Sequence, residues 1–338
     1  MNNIQNEFLP TADYPISQPA QKLKKRKKEK LQAVSPENTS LPLLKDIKKN
    51  GQLYIMLMPF FTFFIIMTVA SISMAVFFSF TYYNLIEFPT YIGFKNYINL
   101  FLNDALFKVA LRNTLLFSLI TGPISYVLCF MLAWLINEFK SATRIILTFC
   151  FYTPALTGMS VYFIWQFMFS GDTHGFFNAI LQSLSLINEP VQWLTDPKYN
   201  FAVLIFVQLW MSLGTGFLAF VAGFKGVDAS LYEAGSIDGI RNRFQELFYI
   251  TLPLMKPQLL FGAVMQISAS FSVSTISTQL LGENSTNYSG HTVVLHMMDY
   301  GTVRYEMGYA CAVAVILFAL MLFIKTLVNL ILRYVAND

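Results

Sequence analysis

The sequence predicts an all-α membrane protein with six transmembrane helices. Two observations carry that reading: long apolar runs that almost lack charge, and an uneven distribution of Lys and Arg around them. Of 338 residues, 55% are hydrophobic, 16% aromatic and only 12% charged, against about 25% charged in a soluble domain. About 20 apolar residues of helix cross a hydrocarbon core. Six runs meet that length: Tyr54–Phe80, Asn113–Ile136, Ile145–Phe169, Phe201–Phe224, Gln258–Leu281 and Gly308–Leu332. They are continuous rather than alternating, so helices are expected and barrel strands are not.

Charge sets the orientation. With six spans, both termini share a side with the loops at 137–144 and 225–257. That side holds 18 Lys and Arg residues and the opposite side holds 5. Positive residues stay in the cytoplasm, so both termini are expected there, while 170–200 and 282–307 face outward. Residues 1–50, with the run "KLKKRKKEK", read as a basic, disordered cytoplasmic segment beside anionic headgroups. They are too polar for a signal peptide, and nucleic-acid binding is the weaker reading of the charge. Residues 51–338 form the membrane domain. Cys129, Cys150 and Cys311 all fall within spans, so no disulfide framework is expected. His291 and His296 stand five apart in an external loop and suggest no metal site.

The span interiors exclude several functions. Lys325 is the one ionisable Asp, Glu, Lys or Arg among them, and it can snorkel from the end of the last span. Ion-coupled transporters place such groups at membrane depth, and an intramembrane enzyme needs catalytic side chains there. Neither is expected, so any uphill transport draws its energy from a partner. Gly122-Pro123 and Pro154 are expected to interrupt the second and third spans. In the fifth span, "QISASFSVSTISTQLL", helical spacing places Gln266, Ser270, Ser274 and Ser277 on one stripe. Ser268, Ser272, Thr275 and Gln279 form a second, nearly opposite stripe. Small polar residues serve helix packing, but two opposed stripes need two neighbours, one of which can be a hydrated path. Trp165, Gln166, Gln208 and Trp210 are further candidates for that path, or alternatively interfacial anchors.

The loop at 225–257 carries the densest local signals, in "LYEAGSIDGIRNRFQELFYITLPLMKP". Asp228 is a suitable N-cap for a helix over 229–237, and Gly239 can take the left-handed conformation that ends it. A second helix is expected from about Arg241 to Tyr249, stopped before Pro253 and anchored by Phe244, Leu247 and Phe248. Ala234, Gly235 and Ser236 offer a small-residue surface where another protein could approach, and Glu233 adds a fixed charge. An interfacial amphipathic hairpin is the other reading of such a loop.

The order of these elements narrows the choice. "EAGSIDG…ITLPLMKP" resembles the signature loop of permease subunits in binding-protein-dependent ABC importers. "SFTYYNL", "YIGFKNYINLF", "LRNTLLFSL", "YTPALTGMSVYFIWQFMFS" and "MGYACAVAVILF" resemble segments of the carbohydrate branch, related to the maltose and glycerol-phosphate permeases. The likeness spans residues 50–335. It implies the type I importer permease fold and a non-catalytic subunit, in a bacterial cell membrane, that passes a sugar of oligosaccharide size. Glu233, Ala234, Gly235, Asp238 and Gly239 would form the helix that couples to the ATPase. Gly235 stands where the family usually has Ala, which weakens a helix by up to about 1 kcal/mol. The implied partners are a second, different permease subunit, two cytoplasmic ATPase subunits and an extracytoplasmic solute-binding protein. ATP and Mg would sit in the ATPase, with no cofactor in this subunit. Sugars stack on aromatic rings and bond to amides, which adds Trp165, Gln208 and Trp210 to Gln266, Ser270 and Ser274 as path candidates. An importer of another polar solute, such as a polyamine or phosphate, remains the alternative.

Overall fold

Long apolar runs form helices here because a bilayer offers the backbone no hydrogen-bond partner outside the chain. The computed structural model describes residues 51–283 and 285–337, with side chains to residue 330. The basic segment 1–50 lies outside the described residues. Two compact units divide between Val69 and Ala70. The described part of the first is α1 (Gly51–Phe64), which runs into a π-helical turn, Ile65–Ala70, and contains no buried residue.

The second unit begins with α2 (Ser71–Phe78), followed by an antiparallel hairpin of β1 (Thr81–Tyr82) and β2 (Thr90–Tyr91) and by short α3 (Lys95–Ile98). The all-α expectation is thus corrected by one small hairpin, formed where Thr-Tyr pairs favour extended backbone. Then come α4 (Ala105–Asn137), α5 (Ser141–Thr157), α6 (Ser160–Met168), α7 (Phe176–Ser183), α8 (Pro197–Met211) and α9 (Thr215–Gly226). The remaining helices are α10 (Ala229–Ile237), α11 (Arg243–Glu246), α12 (Leu252–Leu254), α13 (Lys256–Phe271), α14 (Thr275–Leu281), α15 (Val293–Met298) and α16 (Met307–Asn337).

Helices α4, α9 and α13 pack at the centre of this unit. One buried cluster joins them near α10: Cys129, Ala133, Phe217, Phe220, Phe224 and Met255 among others. A second cluster, with Trp165, Phe169, Val203 and Ile276, joins α6, α8 and α14. A third, with Leu100, Phe107, Val293, Tyr309 and Val313, joins α4, α15 and α16.

Four described runs are long and apolar enough to cross a membrane without interruption: Gly51–Phe78, Ala105–Asn137, Pro197–Gly226 and Met307–Leu330. Two further candidates are bent pairs, Ser141–Thr157 with Ser160–Met168 at 96°, and Arg243–Leu254 with Lys256–Phe271 at 82°. The expected third span, 145–169, is therefore sharply bent. Its break is not at Pro154, which lies within α5, but at Gly158, where φ is +60°. A reversal of this kind requires the positive φ that glycine supplies freely. Gly122-Pro123 also does not break α4, which continues through both residues while Ser118 and Thr121 donate to backbone carbonyls nearby.

The expected fifth span, 258–281, is not one helix either. It stops at Phe271 and restarts at Thr275. The freed Val273 carbonyl accepts a bond of 2.7 Å from the Thr292 hydroxyl, so the gap is satisfied inside the protein.

Gly308 opens α16 directly against the hairpin. Its N–H donates to Tyr83 O at 3.1 Å, and a Cβ placed there would lie 2.1 Å from the Thr81 carbonyl oxygen. Backbone cannot yield as a side-chain tip can, so overpacking here should cost about 1–3 kcal/mol. Gly308→Ala is expected to lower the thermal midpoint of the purified protein by several degrees, whereas Gly226→Ala, with open space around it, should leave it within about a degree.

Candidate functional site

The expected helix of the 225–257 loop is present with the expected bounds. Asp228 caps α10 by accepting from Ser230 N at 3.1 Å. At the other end Gly239 has φ +98°. Ile240 N donates to Gly235 O at 2.9 Å, which is the closing bond of a Schellman motif. Ile240 then folds over Gly235, and a Cβ on that glycine would meet Ile250 Cδ1 at 2.7 Å and Ile240 Cδ1 at 3.1 Å. Gly235 is buried. It therefore faces the protein, so that of the three small residues expected at an approach surface only Ala234 and Ser236 are exposed.

Glu233, Asp238 and Gly239 are exposed as well. Beside them Leu231 and Ile237 project apolar side chains, with Ile237 86% exposed. The helix thus offers an apolar and acidic surface on a stiff support. The support is specific: Tyr232 OH lies 2.9 Å from Thr251 Oγ1, which also donates to Glu246 O.

The second half of the loop departs from expectation. The helix begins at Arg243 rather than at about Arg241, capped by Asn242, which accepts from Gln245 N at 2.8 Å, while Gln245 Oε1 accepts from Arg241 N at 2.9 Å. Nor does Pro253 stop it: the chain passes through a π-helical turn, Leu247–Thr251, into α12, and bends at Met255. Proline falls at the start of α12, where no donor is required of it. Of the expected anchors, Leu247 is buried, while Phe244 and Phe248 are both exposed, Phe244 packing edge-on to Trp134 at 5.2 Å. Arg243 bonds Glu246 at 2.7 Å and approaches Glu138, at the end of α4, at 3.5 Å. These groups, with Tyr232 and Asn137, line a cavity of about 220 Å³ beneath α10.

Among the path candidates, Gln266 and Ser270 lie together on α13, buried against α4. They form the floor of an apolar groove of about 490 Å³ walled by α4 and α16. Ser274 does not join them, because it precedes α14 beyond the helix break. Gln266 Nε2 donates to Ser212 O at 3.2 Å and contacts Cys129 Sγ at 3.2 Å. Trp165 is buried, with its ring 5.1 Å from that of Trp210, which is partly exposed. Gln208 is half-buried on α8. Gln166 Nε2 donates to the Gln279 carbonyl and so bridges α6 and α14.

A polar cluster occupies the opposite end of the unit. His291 Nε2 and His296 Nδ1 are 3.3 Å apart, and His296 Nε2 is 3.1 Å from Asp104 Oδ2. Asp104 also caps α4 through Phe107 N and accepts from Tyr309 OH at 2.7 Å. Helical spacing keeps positions five apart on different faces, but His291 precedes α15 and turns back onto it. Among the described residues no group of His, Cys, Asp and Glu could hold a metal.

Residues 125–337 match the family of the binding-protein-dependent transport system inner membrane component. The chain belongs to that family. It is 31% identical over 288 residues to the probable ABC transporter permease protein YesP of Bacillus subtilis (strain 168), covering 84% of this chain and 90% of that one. It is 29% identical over 280 residues to the arabinooligosaccharides transport system permease protein AraP of Halalkalibacterium halodurans, covering 82% and 86%. Its fold matches the crystal structure of a bacterial ABC transporter involved in the import of the acidic polysaccharide alginate, with a TM-score of 0.71 and 24% identity, covering 86% and 98%. As a member of this family the chain is a multi-pass plasma-membrane component and a non-catalytic transport subunit.

Some of this site could have been found in the sequence. "NRFQ" is a polar N-cap followed three residues later by Gln, the spacing of a capping box. Other parts leave no local trace. Asn113 Nδ2 donates to the carbonyls of Tyr288, Ser289 and His291, partners more than 170 positions away.

The histidine pair gives a pH signature. Burial, reinforced by the neighbouring His296, pushes His291 down to about 4. Burial lowers His296 too, against the pull of Asp104. A base with a depressed folded pKa stabilises the fold above its unfolded value near 6.5, and that contribution is lost as pH falls toward 4. The thermal midpoint should be flat from pH 8 to 7 and drop between 6.5 and 5, before most carboxylates titrate. His291→Asn should reduce the drop; an unchanged slope would show that the pair does not titrate in this window.

Proposed function

We propose that this chain is the membrane-spanning permease subunit of an ATP-driven importer for a sugar of oligosaccharide size. In this reading there are six spans, the third made of α5 and α6 and the fifth of α13 and α14, and both termini and the 225–257 loop lie in the cytoplasm, as the Lys and Arg asymmetry supports. The observation that carries the reading is α10: a capped, glycine-closed helix whose exposed face bears Leu231, Glu233, Ala234 and Ile237. Exposed apolar side chains on a rigid helix suit a protein partner, and the charge asymmetry puts that partner in the cytoplasm.

In this account two cytoplasmic ATPase subunits bind ATP and Mg, and this subunit needs no cofactor. A second, different permease subunit completes the pore, and an extracytoplasmic binding protein delivers the sugar. Glu233, Ala234, Asp238 and Gly239 make or shape the docking surface, while Gly235 lets α10 lie close to Ile250. Closure of the ATPases pushes α10, and helix groups rock about a site near mid-membrane. Ser270, Ser274, Trp165, Gln208 and Trp210 are proposed to border the path, with Gln266 at the base of the groove. The sugar class is supported by relatives whose names specify arabinooligosaccharide, lactose and sulfoquinovosyl glycerol transport.

Two experiments test this. Cysteine at Ser236 and at Asn287, both exposed, should respond oppositely to an impermeant thiol reagent in intact cells, with 287 labelled and 236 protected. Second, Gly239→Val forces a β-branched residue into φ +98°, at a cost of about 1–3 kcal/mol, and Glu233→Lys reverses a surface charge. In vesicles holding the whole complex, both should sharply reduce ATP hydrolysis and uptake of labelled arabinotriose, lactose or maltotriose. Binding by the isolated solute-binding protein should be unaffected. If both variants import at the wild-type rate, α10 is only an interfacial hairpin.

A further inference from the structure

The fourth span is a single run, Pro197–Gly226, but its helical bonding lapses between α8 and α9. Ser212 ends α8, and its carbonyl turns onto Gly214 N at 2.8 Å instead of continuing the helical ladder. That carbonyl is buried inside the bundle, where an unsatisfied acceptor would be costly. It receives two further contacts from neighbouring helices. Gln266 Nε2, on α13, donates to it at 3.2 Å, and Cys129 Sγ, on α4, donates at 3.5 Å. Gln266 and Cys129 are themselves 3.2 Å apart, and both are buried. Three helices therefore meet on one carbonyl, at the point where the span changes from α8 to α9.

The position of α10 in the chain gives this point its importance. Only Val227 and Asp228 separate α9 from α10, so the direction of α9 sets the base of the proposed docking helix. Below the break, α9 rests on α13 through close apolar contacts: Phe220 over Gly262, and Met255 and Gln258 against Gly223. Such contacts permit sliding, since dispersion is not directional. The amide–carbonyl bond at Ser212 is directional.

We infer that Gln266 is a positioning residue, which fixes the pivot between α8 and α9 and so makes α9 and α10 a single stiff lever. This rests on the permease reading only for its consequence, that a loose pivot dissipates the motion of the ATPases. The geometric claim is independent of what is transported. Gly216 supports the assignment, because a Cβ on it would stand 3.1 Å from Gln266 Nε2, so glycine there keeps the amide in place.

The test uses the complete complex with its ATPase subunits in lipid vesicles. Spin labels replace Phe206 on α8 and Ile237 on α10, both exposed. Cys150 and Cys311 are changed to Ser and buried Cys129 is retained. Wild type should give one narrow 206–237 distance that shifts on addition of MgATP. Gln266→Met keeps the length of the side chain but removes the donor, and should lose the narrow distance and the ordered shift. Gln266→Glu should restore both, because a carboxyl at membrane depth stays protonated and its O–H can donate. Gly216→Ala should broaden the distance by displacing the amide, with no added effect in Gln266→Met.

A narrow distribution in Gln266→Met, or one equally broad in Gln266→Glu, would overturn the inference. If Gln266→Met does not assemble, Gly216→Ala decides alone, and a wild-type distribution there overturns it. A wild-type complex that shows these distances but neither hydrolyses MgATP nor imports sugar would instead sink the permease reading and leave the pivot standing.

Discussion

Every backbone group freed by a helix break inside an apolar bundle must find a partner within the protein, because the surrounding hydrocarbon supplies none. This chain departs from straight helices at Gly158, at Ser212–Gly214, at Met255 and at Ser272–Ser274. Its polar side chains are placed accordingly. Gln266 serves the Ser212 carbonyl, Thr292 serves Val273, Gln166 serves Gln279, and Ser277 serves Gly290. Gln266, Ser270, Ser277 and Thr278 are thus engaged with backbone carbonyls, and this is how a nearly uncharged bundle can be bent while these carbonyls keep a partner.

Bends in turn place the surface that matters. Two spans that ran straight through the bundle would leave 225–257 as a simple tether. Instead α9 arrives beside α13 through glycine contacts at 216, 223 and 262. It passes into α10 after two residues, and the chain is folded back on itself so that Tyr232 meets Thr251 and Gly235 meets Ile250. Helix α10 is consequently braced on its inner side by buried contacts and open on its outer side. Such an element can transmit a push. A membrane component of an importer that carries no chemistry of its own needs this property more than any other.

Local signals were legible in the sequence and distant ones were not. Asp228 and Gly239 marked the ends of α10 because capping and left-handed backbone depend on a few adjacent residues. The apolar runs and the charge asymmetry depend on composition, and they pointed to the membrane, while the resemblance to the family rested on the loop motif from Glu233 to Pro257. Pro154 misled, since proline weakens a helix while the reversal was made by a glycine four residues later. The fifth span misled because a Ser-rich stripe reads the same whether its hydroxyls face another helix or their own backbone. The cluster of Asp104, His291 and His296, and the grip of Asn113 on the 288–291 loop, join segments far apart in the chain. No periodicity encodes such a meeting.

The central claim is that α10 is the surface on which an ATPase subunit sits. A photo-crosslinking residue at position 237, the most exposed apolar site on that helix, tests it most directly in intact cells that express the whole complex. Irradiation is expected to join this chain to the ATPase subunit, in a yield that changes when ATP is depleted, with no such product from position 287. Absence of the adduct at 237 in an assembled complex, or its appearance at 287, would contradict the claim.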